Sequence, residues 1–306
     1  MPEKLDNIFD LVHPILSGAS SASPWTMTDT GPSYEADTAL LEKLLAIPVE
    51  EDADSQSGRL AKALDAWVAH ELRRAGFDAD EVWPRRDAPR VLPREVGIFI
   101  SKLPQKLRAQ AQHYLVKDKA TAPSNASILG KAYVKQVDVV VAQWARGPEI
   151  LISTKTMASS FAKNLPNRFE EAYGDAKNLR GRHPLAAIGF VFLLHSSVAA
   201  NEPASYERAL DMLRKLRAEY DVYDSTAVLI ADWTPGDGST VNVRHDLVPE
   251  DLSIHQFFRV SIDAVLARTP IDMHVQVRER REIRELPVHD EDVAAHHPEE
   301  TTSEGS

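Results

Sequence analysis

Two apolar, β-branched runs close together in the chain constrain its fold more than any other feature. The first is Lys131-Ala-Tyr-Val-Lys-Gln-Val-Asp138-Val-Val-Val141 and the second is Glu149-Ile-Leu-Ile-Ser153-Thr-Lys155, joined through the turn residues Arg146-Gly147-Pro148. Runs of this composition are strands, and so short a connection makes them antiparallel neighbours. Asp138 interrupts the first run, and a lone carboxylate there is costly unless it is paired or holds a cation. Alternation along the second run puts Ile150, Ile152 and Thr154 on one face and Leu151, Ser153 and Lys155 on the other. Asp138 and Lys155 can therefore meet, either as a salt bridge between strands or as part of a site.

The surrounding pattern alternates helices with strands. Helices are predicted over 37–47, 59–75 and 205–220, over 252–266, and from Pro166 to about Arg180; proline suits a first helical turn. Residues 96–115 combine a short apolar run with a basic helix. Apolar runs at 185–194 and 226–233 are buried strands, and 271–277 reads as an edge strand. Residues 17–36 and 77–94 read as irregular, 120–127 and 235–239 as turns. This order predicts an α/β fold, a mixed sheet covered on both faces. Three parts are expected: an acidic N-terminal segment over 1–56, a main domain over 57–288, and a disordered acidic tail over 289–306.

Composition narrows the chemistry. The 306 residues contain no cysteine, which excludes disulfides and thiolate metal sites and suits a reducing cytoplasm. No apolar run reaches the ~20 residues that cross a bilayer, and the acidic start lacks the basic region of a secretory signal. No membrane association is expected. The formal net charge is −11, but the acidity lies at the two ends. Arg85 to Lys119 carries nine Lys and Arg against Asp87, Glu95 and Asp118, which is either a phosphate-tracking surface or a solvated helix face. There is no G-x-S-x-G elbow, Walker loop or H-E-x-x-H helix. His195 reads as a core histidine, and His289, His296 and His297 have no ligand spacing.

Two helices offer further carboxylates. In 59–75, Leu60, Leu64, Trp67, Val68, Leu72 and Ala75 form the apolar stripe, with Glu71 near its centre and Asp65 at its edge. Glu71 there needs a partner, either an arginine or a cation. In the helix after Pro166, the residues Phe169, Ala172, Tyr173, Ala176 and Leu179 define an apolar face. Glu170 then lies on its flank, and Glu171 points to solvent.

These segments together resemble the PD-(D/E)xK nuclease superfamily, in which an Asp on one strand and a (D/E)-x-K on the next form the active site. Here Ser153 stands in place of the acid. The same departure marks a subgroup of type II restriction endonucleases that cut sites with a CCGG core, in which a later Glu restores the carboxylate. Glu170, fifteen residues after Lys155, is similar to that Glu. The resemblance covers roughly 57–195. It implies a restriction-endonuclease-like mixed central sheet flanked by helices, and hydrolysis of phosphodiester bonds in double-stranded DNA. Asp138 and Glu170 would bind Mg²⁺, with Mn²⁺ as a substitute, and Glu71 would assist. Lys155 would act on the water and phosphate beside Ser153. Lys163, Asn164, Asn167 and Arg168 would read bases, Arg being suited to guanine and Asn to adenine. Arg180 and Arg182, with Lys177, would hold phosphates or else form a solvated face. A homodimer is expected, with a DNA methyltransferase acting on the same site as a possible partner. Two alternatives are a defence or repair nuclease with little sequence specificity and a DNA-binding module without catalysis.

Overall fold

The computed structural model describes residues 8–51, 58–117, 123, 125–234, 236 and 240–287. The described chain opens with α1 (Ile8–Gly18), the hairpin β1 (Trp25–Thr28) and β2 (Gly31–Tyr34), α2 (Thr38–Glu50) and α3 (Arg59–Ala75). β3 (Val82–Trp83), α4 (Arg94–Lys102) and α5 (Gln105–Lys117) follow, then β4 (Ala126–Leu129) and β5 (Val134–Val137). Next come β6 (Val139–Gln143), β7 (Gly147–Met157), α6 (Phe161–Arg180) and β8 (Ala187–His195). The remainder is α7 (Ser197–Asn201), α8 (Pro203–Ala218), β9 (Ser225–Trp233), β10 (Val241–Val243), α9 (Ile254–Arg268) and α10 (Val275–Glu282).

The fold is mixed α/β. Six strands form a sheet in the order β10-β9-β8-β7-β6-β3. β7, β8 and β9 are parallel and linked by helical crossovers, while β6, β3 and β10 run antiparallel to their neighbours. β7 and β8 are the central strands, and alternate side chains enter two cores. Val139, Val141, Ile150 and Ile152 pack toward α3 and α9, and Val140, Leu151, Phe190 and Phe192 pack toward α6 and α8. Each fully buried aliphatic or aromatic side chain contributes about 1.5–3 kcal/mol of transfer free energy. Gly189 on β8 lets α9 approach closely, because a Cβ there would sit 2.7 Å from the Phe257 ring.

α3 has the bounds its sequence predicts and ends at Gly76, which adopts φ +115°. Most of its length is buried on every side. The Ser/Thr-rich 17–36 segment, expected to be irregular, instead holds the β1–β2 hairpin, whose Trp25 and Tyr34 pack edge to face at 5.1 Å. α6 begins at Phe161, so Pro166 lies inside it rather than opening it. Residues 271–277 form no strand: the chain turns there into α10. The expected division near residue 56 lies outside the described residues, and side chains of α1, β1, β2 and α2 share one core with α3 and the sheet. The expected tail over 289–306 also lies outside the described residues.

The first apolar run is not one strand. It breaks at Asp138: β5 pairs with β4 in a separate two-stranded sheet, and β6 joins the main sheet. The β4–β5 turn is fastened to α6 by Asn178. Its Oδ1 accepts from the N–H groups of Ala132 and Tyr133, its Nδ2 donates to the Tyr133 carbonyl, and its own carbonyl accepts from Lys131 N–H.

Candidate active site

Asp138 occupies the break between β5 and β6 and is half-buried. Pairing of Val139 with Ile152 runs the chain on toward Ser153. At that point the Asp138 carboxylate takes over from the strand ladder, its Oδ2 accepting the Thr154 N–H at 3.0 Å. Among the described residues its Oδ1 has no hydrogen-bond partner. The costly Asp within an apolar run is thus partly offset by a backbone donor.

Lys155 projects from β7 on the α6 side of the sheet, two residues beyond the buried Ser153. Its ammonium lies 3.1 Å from Glu171 Oε1 on α6. Among the described residues no ion pair joins Lys155 to Asp138, so the simple salt bridge between strands is not formed. Arg168 Nη1 lies 2.7 Å from Glu171 Oε2, and Lys135 Nζ on β5 lies 3.7 Å from Oε1. The Glu171 carboxyl stays below its ordinary value: partial burial pushes it up, but Lys155 and Arg168 outweigh that push.

Glu170 is exposed to solvent, and the expectation that it faces the site is corrected. Helical spacing puts Tyr173 on the apolar face, but Tyr173 is exposed. The buried stripe runs through Phe161, Leu165, Ala172, Ala176 and Leu179. This rotation turns Arg168, Glu171 and Asp175, spaced three and four residues apart, toward β5 and β7. Asp175 is buried and pairs with Lys135 Nζ at 2.5 Å, and it accepts a hydrogen bond from the Tyr133 hydroxyl at 3.0 Å. Lys135 and Asp175 escaped the sequence reading. Lys135 carried a signal, because strand alternation puts it on the face of Val137.

Below the sheet, α3 brings a second carboxylate to Asp138, and it is Asp65 rather than Glu71. Asp65 is fully buried. Its Oδ1 accepts from the Thr154 hydroxyl, and Lys62 Nζ lies 2.9 Å from its Oδ2. Burial first, and then the Asp138 charge, push the Asp65 carboxyl up to about 6, against the pull of Lys62 and Thr154. Thr154 therefore serves both aspartates, its N–H going to Asp138 and its hydroxyl to Asp65. Glu71 lies elsewhere in the core. Both its oxygens accept from Arg74 Nη1, at 2.7 and 2.8 Å, and the Tyr34 hydroxyl donates to it. It is a buried ion pair with an arginine. Because α3 is buried nearly all round, position within its stripe could not tell which carboxylate meets the sheet.

The cationic candidates divide. Lys163, Asn167 and Arg182 are exposed and Asn164 is half-buried, all available to a partner. Arg168 is tied to Glu171. Arg180 is corrected to a structural role: it is buried, and it donates to the Pro184 and Ala186 carbonyls and to Asp224 at 2.6 Å. Arg268 joins the same Asp224 and fixes α9 to this joint.

The donors present are hard carboxylate oxygens of the kind Mg²⁺ prefers. Among the described residues, however, no group of three or more His, Asp or Glu is gathered closely enough to form a metal cage. Asp138, Glu171 and Asp175 still share one neighbourhood. Burial, then these three charges, hold the Tyr223 hydroxyl well above its ordinary value. Among the described residues no helix is long and apolar enough to cross a membrane. No protein-family model matches the chain, and neither the curated proteins nor the solved structures compared with it give a match.

Proposed function

We propose that the protein is a metal-dependent endonuclease that hydrolyses phosphodiester bonds in double-stranded DNA at a site built on Asp138, Lys155 and Glu171. The observation that carries this reading is the convergence of three elements on one stretch of β7. Asp138 accepts from the N–H of Thr154, and Glu171 holds the ammonium of Lys155. An Asp, a lysine two residues past a serine, and a carboxylate from the following helix are the components of a PD-(D/E)xK site whose acid has moved. In this chain the moved acid is Glu171.

Asp138, through its unengaged Oδ1, and Glu171 would hold a hard divalent ion, Mg²⁺ or Mn²⁺. When bound, such an ion polarises the phosphate and lowers the pKa of a bound water. Lys155, whose ammonium rests beside Glu171, would orient the attacking water and balance charge developing on the phosphate. Lys135 keeps Glu171 and Asp175 from repelling one another. Asp65 sits behind Asp138 and holds it through Thr154. A restriction-endonuclease-like fold, a homodimer presenting two such sites and a methyltransferase protecting the same sequence belong to this proposal.

A second reading is a DNA-binding module without catalysis. It is favoured by the cations that already neutralise both Glu171 oxygens and by the lack of a three-donor group among the described residues. Incubation of the full chain with unmethylated phage DNA and Mg²⁺ or Mn²⁺ separates the two. Discrete fragments support a sequence-specific endonuclease, and a smear supports one with low specificity. If no DNA is cut under either metal while duplex binding persists, the module reading replaces the nuclease.

A further inference from the structure

The helix α5 has no interior. None of its residues is buried, and α4, which buries Ile100, is its main packing neighbour. Leu107, Tyr114 and Val116 on α5 and Phe99 on α4 are each more than half exposed. An isolated helix of thirteen residues is marginal in water, because nucleation is costly and little packing offsets it. A helix of this length standing off the body therefore needs something to lie against.

Its charge identifies what. From Val96 to Lys117 the sequence has no Asp or Glu, in a protein whose net charge is −11. Lys102, Lys106, Arg108 and Lys117 supply the cations, and among the described residues none of them is ion-paired. Arg108 only donates to the Leu103 carbonyl at 3.1 Å. Most arginines of the body, by contrast, are engaged by carboxylates. Lys106, Gln110, His113 and Lys117 recur at helical spacing and form one polar stripe about 16 Å long. Two copies of this stripe set face to face would oppose like charges, which argues for a polyanion as occupant.

The place of the hairpin agrees with its charge. Val91, three residues before α4, and Asn125, the residue before β4, line one crevice with Asp138 and Lys62. The α4–α5 hairpin thus arises from the edge of the candidate site on both of its flanks.

We propose that α5 is a docking rail for the phosphate backbone of duplex DNA beside the cleaved position, a proposal that rests on the endonuclease reading. The rail neutralises phosphates through Lys106 and Lys117, with Lys102 at its start, and releases their counterions; Arg108 lies on the opposite face of α5. Gln110 and Tyr114 supply neutral hydrogen-bonding contacts along it.

The test uses the full chain carrying Asp138→Asn, with a fluorescent duplex oligonucleotide titrated at several salt concentrations in the presence of a chelator. It is compared with the same chain also carrying K102Q, K106Q and K117Q, with circular dichroism and sedimentation run on both. The rail predicts at least a tenfold loss of affinity, and a slope of log affinity against log salt shallower by about 2 to 3, near 0.9 per lost phosphate contact. Unchanged affinity and slope overturn it, as does failure of the Asp138→Asn chain to bind duplex at all. Loss of a dimer in the threefold variant with duplex binding intact also overturns it and makes α5 a self-association face. Cleavage by the Asp138-containing chain reports separately on the nuclease reading. A chain that never cuts, yet loses duplex affinity on substitution of α5, keeps the rail and loses the nuclease.

Discussion

The Lys155 ammonium lies 3.1 Å from Glu171 Oε1, joining the end of the central strand β7 to the middle of α6. Glu170, one residue earlier, faces solvent. The two glutamates should therefore separate cleanly in a cleavage assay. Glu171→Gln is expected to lower the rate of DNA cleavage by ~100-fold or more, the scale of losing one charged group from a phosphate-hydrolysing site. Glu170→Gln should stay within about twofold of the parent. Equal losses in both variants would remove Glu171 from its assigned role.

Glu71 and Arg74 form a buried pair remote from Lys155, completed by the Tyr34 hydroxyl. Glu71→Gln leaves the Arg74 guanidinium without its counter-charge. Stability measured by urea unfolding should fall by about 3 kcal/mol. Cleavage per folded molecule should be unchanged, in contrast to Asp138→Asn. A variant as stable as the parent but inactive would return Glu71 to the active site.

Thr154 donates its N–H to Asp138 and its hydroxyl to Asp65. Thr154→Val keeps the shape and the first bond and deletes the second. A buried carboxylate short of a donor costs about 1–3 kcal/mol. The loss should be largest near neutral pH and shrink as the pH falls below about 6, where Asp65 takes up a proton. The pH dependence of urea midpoints for parent and variant measures this directly.

His70 is fully buried on α3 and accepts from Arg86 Nη2 at 3.1 Å through Nδ1. Burial, then Arg86, Arg73 and Arg74, hold its pKa down at about 4 from an ordinary 6.5. The unfolded chain thus binds this proton at a higher pH than the folded one. The His70 contribution is fully present above about 6.5 and is lost as the pH falls toward 4, by about 3 kcal/mol in all. Asp65 and Glu71, raised to about 6 and about 7, act in the opposite sense. The test is therefore the difference between parent and His70→Gln stability curves, which should slope between pH 6.5 and 4 and be flat above.

Much of the frame was legible in the sequence. α3, β8 and β9 follow from uninterrupted apolar patterning, and Gly76 ends α3 through its left-handed backbone. The β1–β2 hairpin was not legible, because of its strand residues only Trp25 and Tyr34 are buried, in a Ser/Thr-rich segment. Residues 271–277 alternate like a strand, but the last of them start α10, whose Val277 is its buried residue. In the site, Asp138 and Lys155 stood out because charges inside apolar runs need an explanation. The choice between Glu170 and Glu171 turned on one exposed tyrosine, Tyr173. The choice between Asp65 and Glu71 failed because a helix buried on all sides has no pattern that points.

The ties of Asn178 bear on how such a site could open. Asn178, the Tyr133 hydroxyl on Asp175 and the Lys135 ion pairs bind the β4–β5 hairpin to α6 at several points. Hairpin and helix are therefore fastened to one another, and Lys135 and Glu171 are held on the same side of the cleft. Among the described residues, the Lys155 ion pair is the polar link between Glu171 and β7. The packed face of α6 stays on the core it shares with Leu151 and Met157, so a widening confined to the rim parts Lys155 from Glu171 and leaves the Lys135 side intact.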